Sequence, residues 1–330
     1  MRRRQFIAGF VGAALGPLVA RAQQGKQLRR IGVLIGWEEN DPEARALLSG
    51  FTRGLADHGW IDGQNVRVDV RWGAGNVDRM RDSAKELVEL RPDVLLAHAT
   101  PATAALQQMT RTIPIVFSGV SDPIGPGFVA SLGRPGGNIT GFSDLEASLA
   151  GQWLELLTEI APGIKRVAIM FSPEMAPAAG FHYLPVLEDV SRKLDVELVR
   201  APVYSDREIE QVIASLVRGH GGGLIVAPDT FTNVHRAQII RTSAEHKLPA
   251  IYGVASAVRE GGLLSYGPDR ADMFRRSASY VDRILRGAKS SELPVQLPVK
   301  FQTTFNAKTA RTLGLAVPQS ILLRADEVIE

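Results

Sequence analysis

The chain has 330 residues, 45% of them apolar, with six histidines, no cysteine and a formal charge of +3. Without cysteine it has no disulfide, no thiolate metal site and no cysteine to carry a lipid at a cleavage point. That length is long for one core and comfortable for two.

Met1–Ala22 joins a basic start (Arg2, Arg3, Arg4) to an apolar middle from Phe6 to Ala20 and the small-residue ending Ala20-Arg21-Ala22. This is the pattern of a secretory signal cut after Ala22. Arg3-Arg4-Gln5-Phe6-Ile7 resembles the twin-arginine export motif. The apolar stretch is under the ~18 residues that a membrane-spanning helix needs. Its removal takes away four arginines and no acidic residue, leaving 34 basic against 35 acidic side chains. The mature chain is therefore near neutral, and its charge gives no support for a nucleic-acid partner. A soluble periplasmic monomer is expected.

Arg30–Ile35 is a buried strand, and Pro42 to His58 a helix. Val66–Trp72 alternates as a strand, Gly73–Asn76 turns, and Val77–Leu90 is amphipathic, with Met80, Ala84, Leu87 and Val88 on one face. Asp93–Ala97 is a short apolar strand that runs into a helix at Pro101–Thr110, with Thr100 as N-cap and Pro101 at the first helical position. Such a junction presents unpaired N–H groups and a positive dipole, a geometry that suits a carboxylate. Ile113–Gly119 is the next strand, and a Gly/Pro-rich passage follows from Asp122 to Asn138. Alternating strands and helices predict a parallel sheet covered on both faces.

The order then repeats. Lys165–Met170 echoes Arg29–Leu34, Gly223–Thr230 echoes Asp93–Thr100, and Leu248–Tyr252 echoes Ile113–Phe117, at offsets of about 136, 130 and 135 residues. The expected fold is α/β, with two Rossmann-like lobes, each a parallel sheet with helices on both faces. Leu263–Gly267, the helix Ala271–Arg286 and the strand Val299–Phe305 supply closing elements. Chain crossings near Gly141, Leu264 and Pro294 would make a three-stranded hinge. They would place residues 28–142 and 265–293 in one lobe, and 143–264 and 294–330 in the other.

Facing sheets of this kind bind ligands at the ends of their strands. The loops bound for the cleft offer Thr100, Ser121, Ser143 and Thr230 as neutral hydrogen-bonding groups, Asp122 and Asp229 as negative charges, and Trp37, Phe231, Tyr252 and Tyr266 as aromatic faces. Pro101 and Ala102 complete the helix start beside Thr100. An amino acid suits this lining: its carboxylate at Thr100, its ammonium at Asp229 or Asp122, its side chain between aromatics. The alternatives are helix capping for the two aspartates and core packing for the aromatics. Micromolar affinity needs about 8 kcal/mol, a helix terminus contributes roughly 0.3–2, and enclosing an aromatic-sized group of ~150–250 Å² roughly 4–6. Closure of both lobes must therefore supply most of the binding.

Several segments together carry a family resemblance: Phe51-Thr-Arg-Gly-Leu55 with Gly59-Trp60, Gly136-Gly-Asn-Ile-Thr-Gly141, Tyr280–Gly287, Leu293-Pro-Val-Gln-Leu-Pro298, and the ending from Asn306 through Ile329. In these the chain resembles the ABC-transporter substrate-binding proteins of the tryptophan-transport-like branch, with the type I periplasmic binding fold. The resemblance implies an extracytoplasmic receptor that closes on a small polar solute and hands it to a membrane permease. A ligand-binding sensor for a membrane signalling protein would share the fold, and an exported hydrolase is a third reading.

Enzyme-like motifs fail on context. Gly125–Ala130 fits a dinucleotide fingerprint, but Pro126 removes an N–H that a pyrophosphate would need. His220-Gly-Gly-Gly223 has no Gly-x-Ser-x-Gly elbow to serve, and no phosphate-binding Gly-x4-Gly-Lys-Ser/Thr is present. The histidines lack metal-ligand spacing, although His98 falls near the cleft. No catalytic residue, cofactor or metal is expected.

Overall fold

A computed structural model of the chain describes residues 28–330 except 145, 176–178 and 219–220, and leaves out the side chains of 179–181. The expected export signal Met1–Ala22 and His220 lie outside the described residues.

The first lobe is built from β1 (Arg29–Ile35), α1 (Pro42–Asp57), β2 (Val66–Trp72), α2 (Val77–Glu89), β3 (Val94–His98), α3 (Ala99–Met109), β4 (Ile115–Val120) and β5 (Ile139–Ser143). Its five strands are all parallel, in the order β2-β1-β3-β4-β5. Ile31 to Ile35 of β1 are fully buried, as expected of a parallel strand covered on both faces. Asp41 starts α1 by accepting a hydrogen bond from the Ala44 N–H at 2.9 Å, and Asn76 starts α2 by accepting one from the Arg79 N–H.

The second lobe follows with α4 (Ser148–Ile160), β6 (Arg166–Phe171), α5 (Ala179–Lys193), β7 (Glu197–Pro202), α6 (Asp206–Val217), β8 (Gly222–Val226), α7 (Thr230–Val234), α8 (Arg236–Glu245), β9 (Ala250–Tyr252), α9 (Ala255–Arg259) and β10 (Leu264–Pro268). Next comes α10 (Arg270–Leu285), and after it β11 (Phe301–Asn306), α11 (Ala307–Leu313), α12 (Gln319–Arg324) and β12 (Glu327–Ile329). The strand order is β12-β11-β10-β9-β8-β6-β7, parallel except for the antiparallel β10–β11 pair. Two α/β lobes thus stand where the sequence repeat places them, with one antiparallel pair added to the second sheet.

The helix α10 returns to the first lobe, where Phe274, Ala278 and Val281 share a core with Leu47, Phe51 and Leu55 of α1. The two helices approach so closely that a Cβ on Gly54 would come within 2.5 Å of the Arg275 carbonyl oxygen, which explains the glycine in the Phe51–Leu55 motif. Gly141 is held the same way, since a Cβ there would meet the Phe117 carbonyl oxygen at 2.1 Å.

Three segments connect the lobes: after Ser143, between Pro268 and Arg270, and between Leu293 and Phe301. They are laced together by backbone bonds from Ser143 N to Gln296 O, Gln296 N to Gly141 O and Asp269 N to Lys300 O, each 2.9 Å. The sequence-based crossing at Leu264 needs correction. Leu264–Pro268 pairs with β11 along its length and with β9 at Leu264 and Ser265, so residues 265–268 belong to the second sheet and the crossing waits for Asp269.

Candidate functional site

The strand ends of both lobes converge on one narrow cavity. Trp37 follows β1, Ala99-Thr100-Pro101 follows β3, and Gly119 and Ser121 lie at the end of β4. From the second lobe come Met175, Pro228, Asp229 and Thr230, and Arg270 enters from the hinge. Two larger depressions lie elsewhere, one along α10 and one at the opposite end of the first sheet, away from the strand ends where such folds take ligands.

The lobes touch across the gap. A Cβ on Gly36 would lie 3.7 Å from the Thr230 methyl, and one on Gly75 would meet Val234 at 2.9 Å. Arg236 Nη1 reaches Asp41 Oδ2 at 2.6 Å, and His182 Nε2 lies 3.5 Å from Asp122 Oδ2.

The floor of the cavity is charged and buried. Arg270 Nη2 stands 3.4 Å from Asp144 Oδ2, with side chains only 11% and 3% exposed. Neither partner is fully satisfied, because the buried Arg270 Nε and Asp144 Oδ1 have no hydrogen-bond partner among the described residues. Burial pushes the Asp144 carboxyl above its ordinary range, against the pull of Arg270 and a hydrogen bond with Ser121. Arg270 also lies 5.7 Å over the Trp37 ring, a cation–π contact. Trp37 in turn meets His98 edge-on at 4.6 Å. Burial, followed by the Arg270 charge, pushes the His98 imidazole down to about 3, so the ring is neutral at ordinary pH. The Trp37 indole N–H, His98 Nδ1, Thr230 Oγ1 and the Tyr183 hydroxyl are likewise buried without partners among the described residues. Since buried polar groups are normally paired, this concentration around one cavity marks a place built for polar groups from outside the chain.

Ala99 follows β3 directly and has φ +66, in the left-handed region. A non-glycine residue there costs roughly 1–3 kcal/mol and clusters at functional sites. The α-helix begins at Ala99 with His98 in the cap position and no side-chain cap bond, so Thr100 is inside the first turn rather than capping it. Pro101 is then in that turn as well, not at its first position, and both residues still face the cavity.

Six of the residues singled out from sequence line the cavity together: Trp37, Thr100, Pro101, Ser121, Asp229 and Thr230. The others are placed differently. Ala102 is packed in the core of the first lobe. Asp122 Oδ1 accepts from the N–H groups of Ile124 and Gly125, holding its own loop. Ser143 donates to the Val120 carbonyl at 2.6 Å, tying β5 to β4. Phe231 stacks on His235 at 4.0 Å, Tyr252 is core, and Tyr266 stacks on Phe301 at 6.1 Å.

Asp229 lines the cavity but spends its oxygens on the backbone. Oδ1 accepts from Thr232 N–H and Oδ2 from Ser172 N–H, both at 2.8 Å, in a reciprocal capping box with Thr232. Burial nonetheless pushes its carboxyl up to about 6. Sequence reading missed Arg270 and Tyr183, and it brings the loop Phe142–Asp144 to the cleft without singling out the Asp144 carboxylate. A usable signal existed for Arg270: Asp269 caps α10, which puts a cation at the positive end of a helix, where it is electrostatically unfavoured.

Two parallel-sheet lobes, a laced hinge and a polar cleft define a binding protein of the periplasmic type. Residues 38–329 match the family of ABC transporter substrate binding proteins, and the chain belongs to that family. A tyrosine-binding protein from Clostridioides difficile (strain R20291) is 26% identical over 266 residues, 81% of this chain and 76% of the relative. The structure is also similar to an ABC domain from Streptococcus pneumonia in complex with L-Trp, at 26% identity and TM-score 0.83, covering 91% of this chain and 99% of that one. A substrate-binding protein with adhesive properties from Clostridium difficile, in its ligand-free, open form, gives TM-score 0.67 at 25% identity over 91% and 99% of the two chains. At nearly equal identity, the ligand-bound relative superposes better than the open one, in keeping with lobes that touch.

Proposed function

We propose that this chain is the periplasmic receptor of an ABC importer for an amino acid, with an aromatic side chain favoured, and that it acts by hinge closure without catalysis or cofactor. Residues 1–22 serve as its export signal, and the mature monomer delivers its solute to a membrane permease. The observation that supports the ligand class is the unsatisfied Arg270–Asp144 pair. One buried cation and one buried anion, each with a free hydrogen-bonding atom, match the two ends of a zwitterion. In this reading the ligand carboxylate lies at Arg270 and the α3 start, the ammonium at Asp144, and the side chain against Trp37. Asp229 shapes the second-lobe wall rather than taking the ammonium. The related proteins that bind tyrosine and tryptophan favour an aromatic side chain.

The test is thermal unfolding of the mature protein with L-tyrosine, L-tryptophan and L-phenylalanine, set against analogues lacking the carboxylate or the ammonium. Binding only the folded form at a hundredfold over Kd stabilises it by about 2.7 kcal/mol. At least one intact amino acid should raise the melting temperature by several degrees while its truncated analogues do not. A flat response across all amino acids, or equal shifts with the truncated compounds, would sink the zwitterion reading.

A further inference from the structure

A buried ion pair joins the lobes outside the cavity. Arg236, in α8 of the second lobe, grips Glu260 of its own lobe through Nε at 3.0 Å and Nη2 at 2.6 Å. Its Nη1 donates to the Asn233 carbonyl and crosses the gap to Asp41 Oδ2 at 2.6 Å. Asp41 serves two purposes, since Oδ1 caps α1 in the first lobe while Oδ2 takes the arginine. Both side chains of the crossing pair are only 10% exposed, unlike most of the ion pairs on this protein. Neither residue lines the cavity that takes the ligand.

We infer that the Asp41–Arg236 bridge is a latch: it sets how much of the protein is closed, and through that the affinity and residence time of the ligand, without touching it. Opening the lobes must separate Asp41 from Arg236, while Glu260, riding on the same lobe as the arginine, stays with it. The contact therefore exists in one state only, and only such differential contacts move a conformational equilibrium. Apparent affinity scales with the population of the binding-competent state, so residues remote from the ligand tune it by the same factor. Glu260 pre-orients the guanidinium, so little freedom is lost when Asp41 arrives. Neutralising one end should cost about tenfold in the closed-to-open ratio, the size expected for a hydrogen bond to a charged group.

The absence of cysteine makes the measurement direct. Spin labels at Lys85→Cys in α2 and Lys193→Cys in α5 report the distance between the lobes in ligand-free protein. Asp41→Asn keeps an oxygen to cap α1 and removes the charge; Arg236→Gln removes it from the other side. Each should shift the distance distribution toward the longer, open separation, and the double variant should go no further than the singles. Dissociation of L-tyrosine should speed up about tenfold in each, with the preference among amino acids unchanged. An unchanged distance distribution, or effects of the two substitutions that simply add, would overturn the latch. The affinity arm rests on the amino-acid reading, whereas the distance arm uses no ligand. Failure of L-tyrosine to bind the parent protein thus counts against that reading alone.

Discussion

Arg236 and Arg270 both sit where the lobes meet, with 10% and 11% of their side chains exposed, yet the protein provides for them differently. Arg236 donates to two carboxylates and a carbonyl at 2.6–3.0 Å. Among the described residues Arg270 has one loose contact at 3.4 Å, a ring beside it and a buried Nε with no partner. A satisfied guanidinium holds two pieces of protein in one arrangement. An unsatisfied one, kept out of water, holds electrostatic potential for something that arrives later. The difference teaches that hydrogen-bond accounting, rather than charge alone, separates a fastening from a binding group.

The sharpest way to break that contrast is to remove each arginine in turn. Arg270→Ala should weaken L-amino-acid binding by about 3 kcal/mol, more than a hundredfold, because a buried charge on the ligand loses its partner and Asp144 is left alone. Calorimetric titration against the parent reads this, and Arg236→Gln should lose no more than about tenfold. Equal losses in the two variants would erase the distinction.

A next-largest effect concerns the neutral ring beneath Trp37. His98 is held near 3 in the folded protein, against 6.5 for a free imidazole. Between those values the unfolded chain takes a proton that the folded chain refuses. The stability that His98 contributes is therefore complete above pH 6.5 and is lost on acidification. At pH 4.5 this amounts to about 3 kcal/mol. Asp229, raised to about 6, works in the opposite sense, since its folded form gains a proton first as pH falls through 6. Denaturant melts from pH 7.5 to 4.5 should show a flatter acid limb in His98→Gln than in the parent, and parallel limbs would refute the assignment.

The smallest effect sharpens the role of the second buried acid, Asp229. Asp229→Asn exchanges one backbone-accepting oxygen for an amide, which should cost about 1–2 kcal/mol of stability. Ligand affinity, measured by the same titration, should stay at the parent value. A large affinity loss with stability intact would instead return the ammonium to Asp229.

Much of this was legible in the sequence. Apolar runs of strand length followed by helix starts located β1, β3, β4 and β8, and the repeat at about 130–136 residues gave two lobes. Residues that flank those junctions, such as Trp37, Thr100 and Thr230, fall on the cavity because strand ends in parallel sheets point the same way. The charged floor was harder to find. Asp144 and Arg270 are 126 residues apart and meet only because two hinge crossings run side by side. Tyr252 falls in the core because a cleft-side position and a core position look alike when a strand is buried on both faces.

The threefold crossing also governs how the protein comes into being. Phe51 on α1 packs beside Phe274 on α10, which is synthesised about 220 residues later. At roughly 5–20 residues per second the leading half spends some 10–45 seconds with that apolar stripe uncovered. Neither lobe can therefore be completed alone, and premature collapse of the nascent chain is a hazard until α10 has been made.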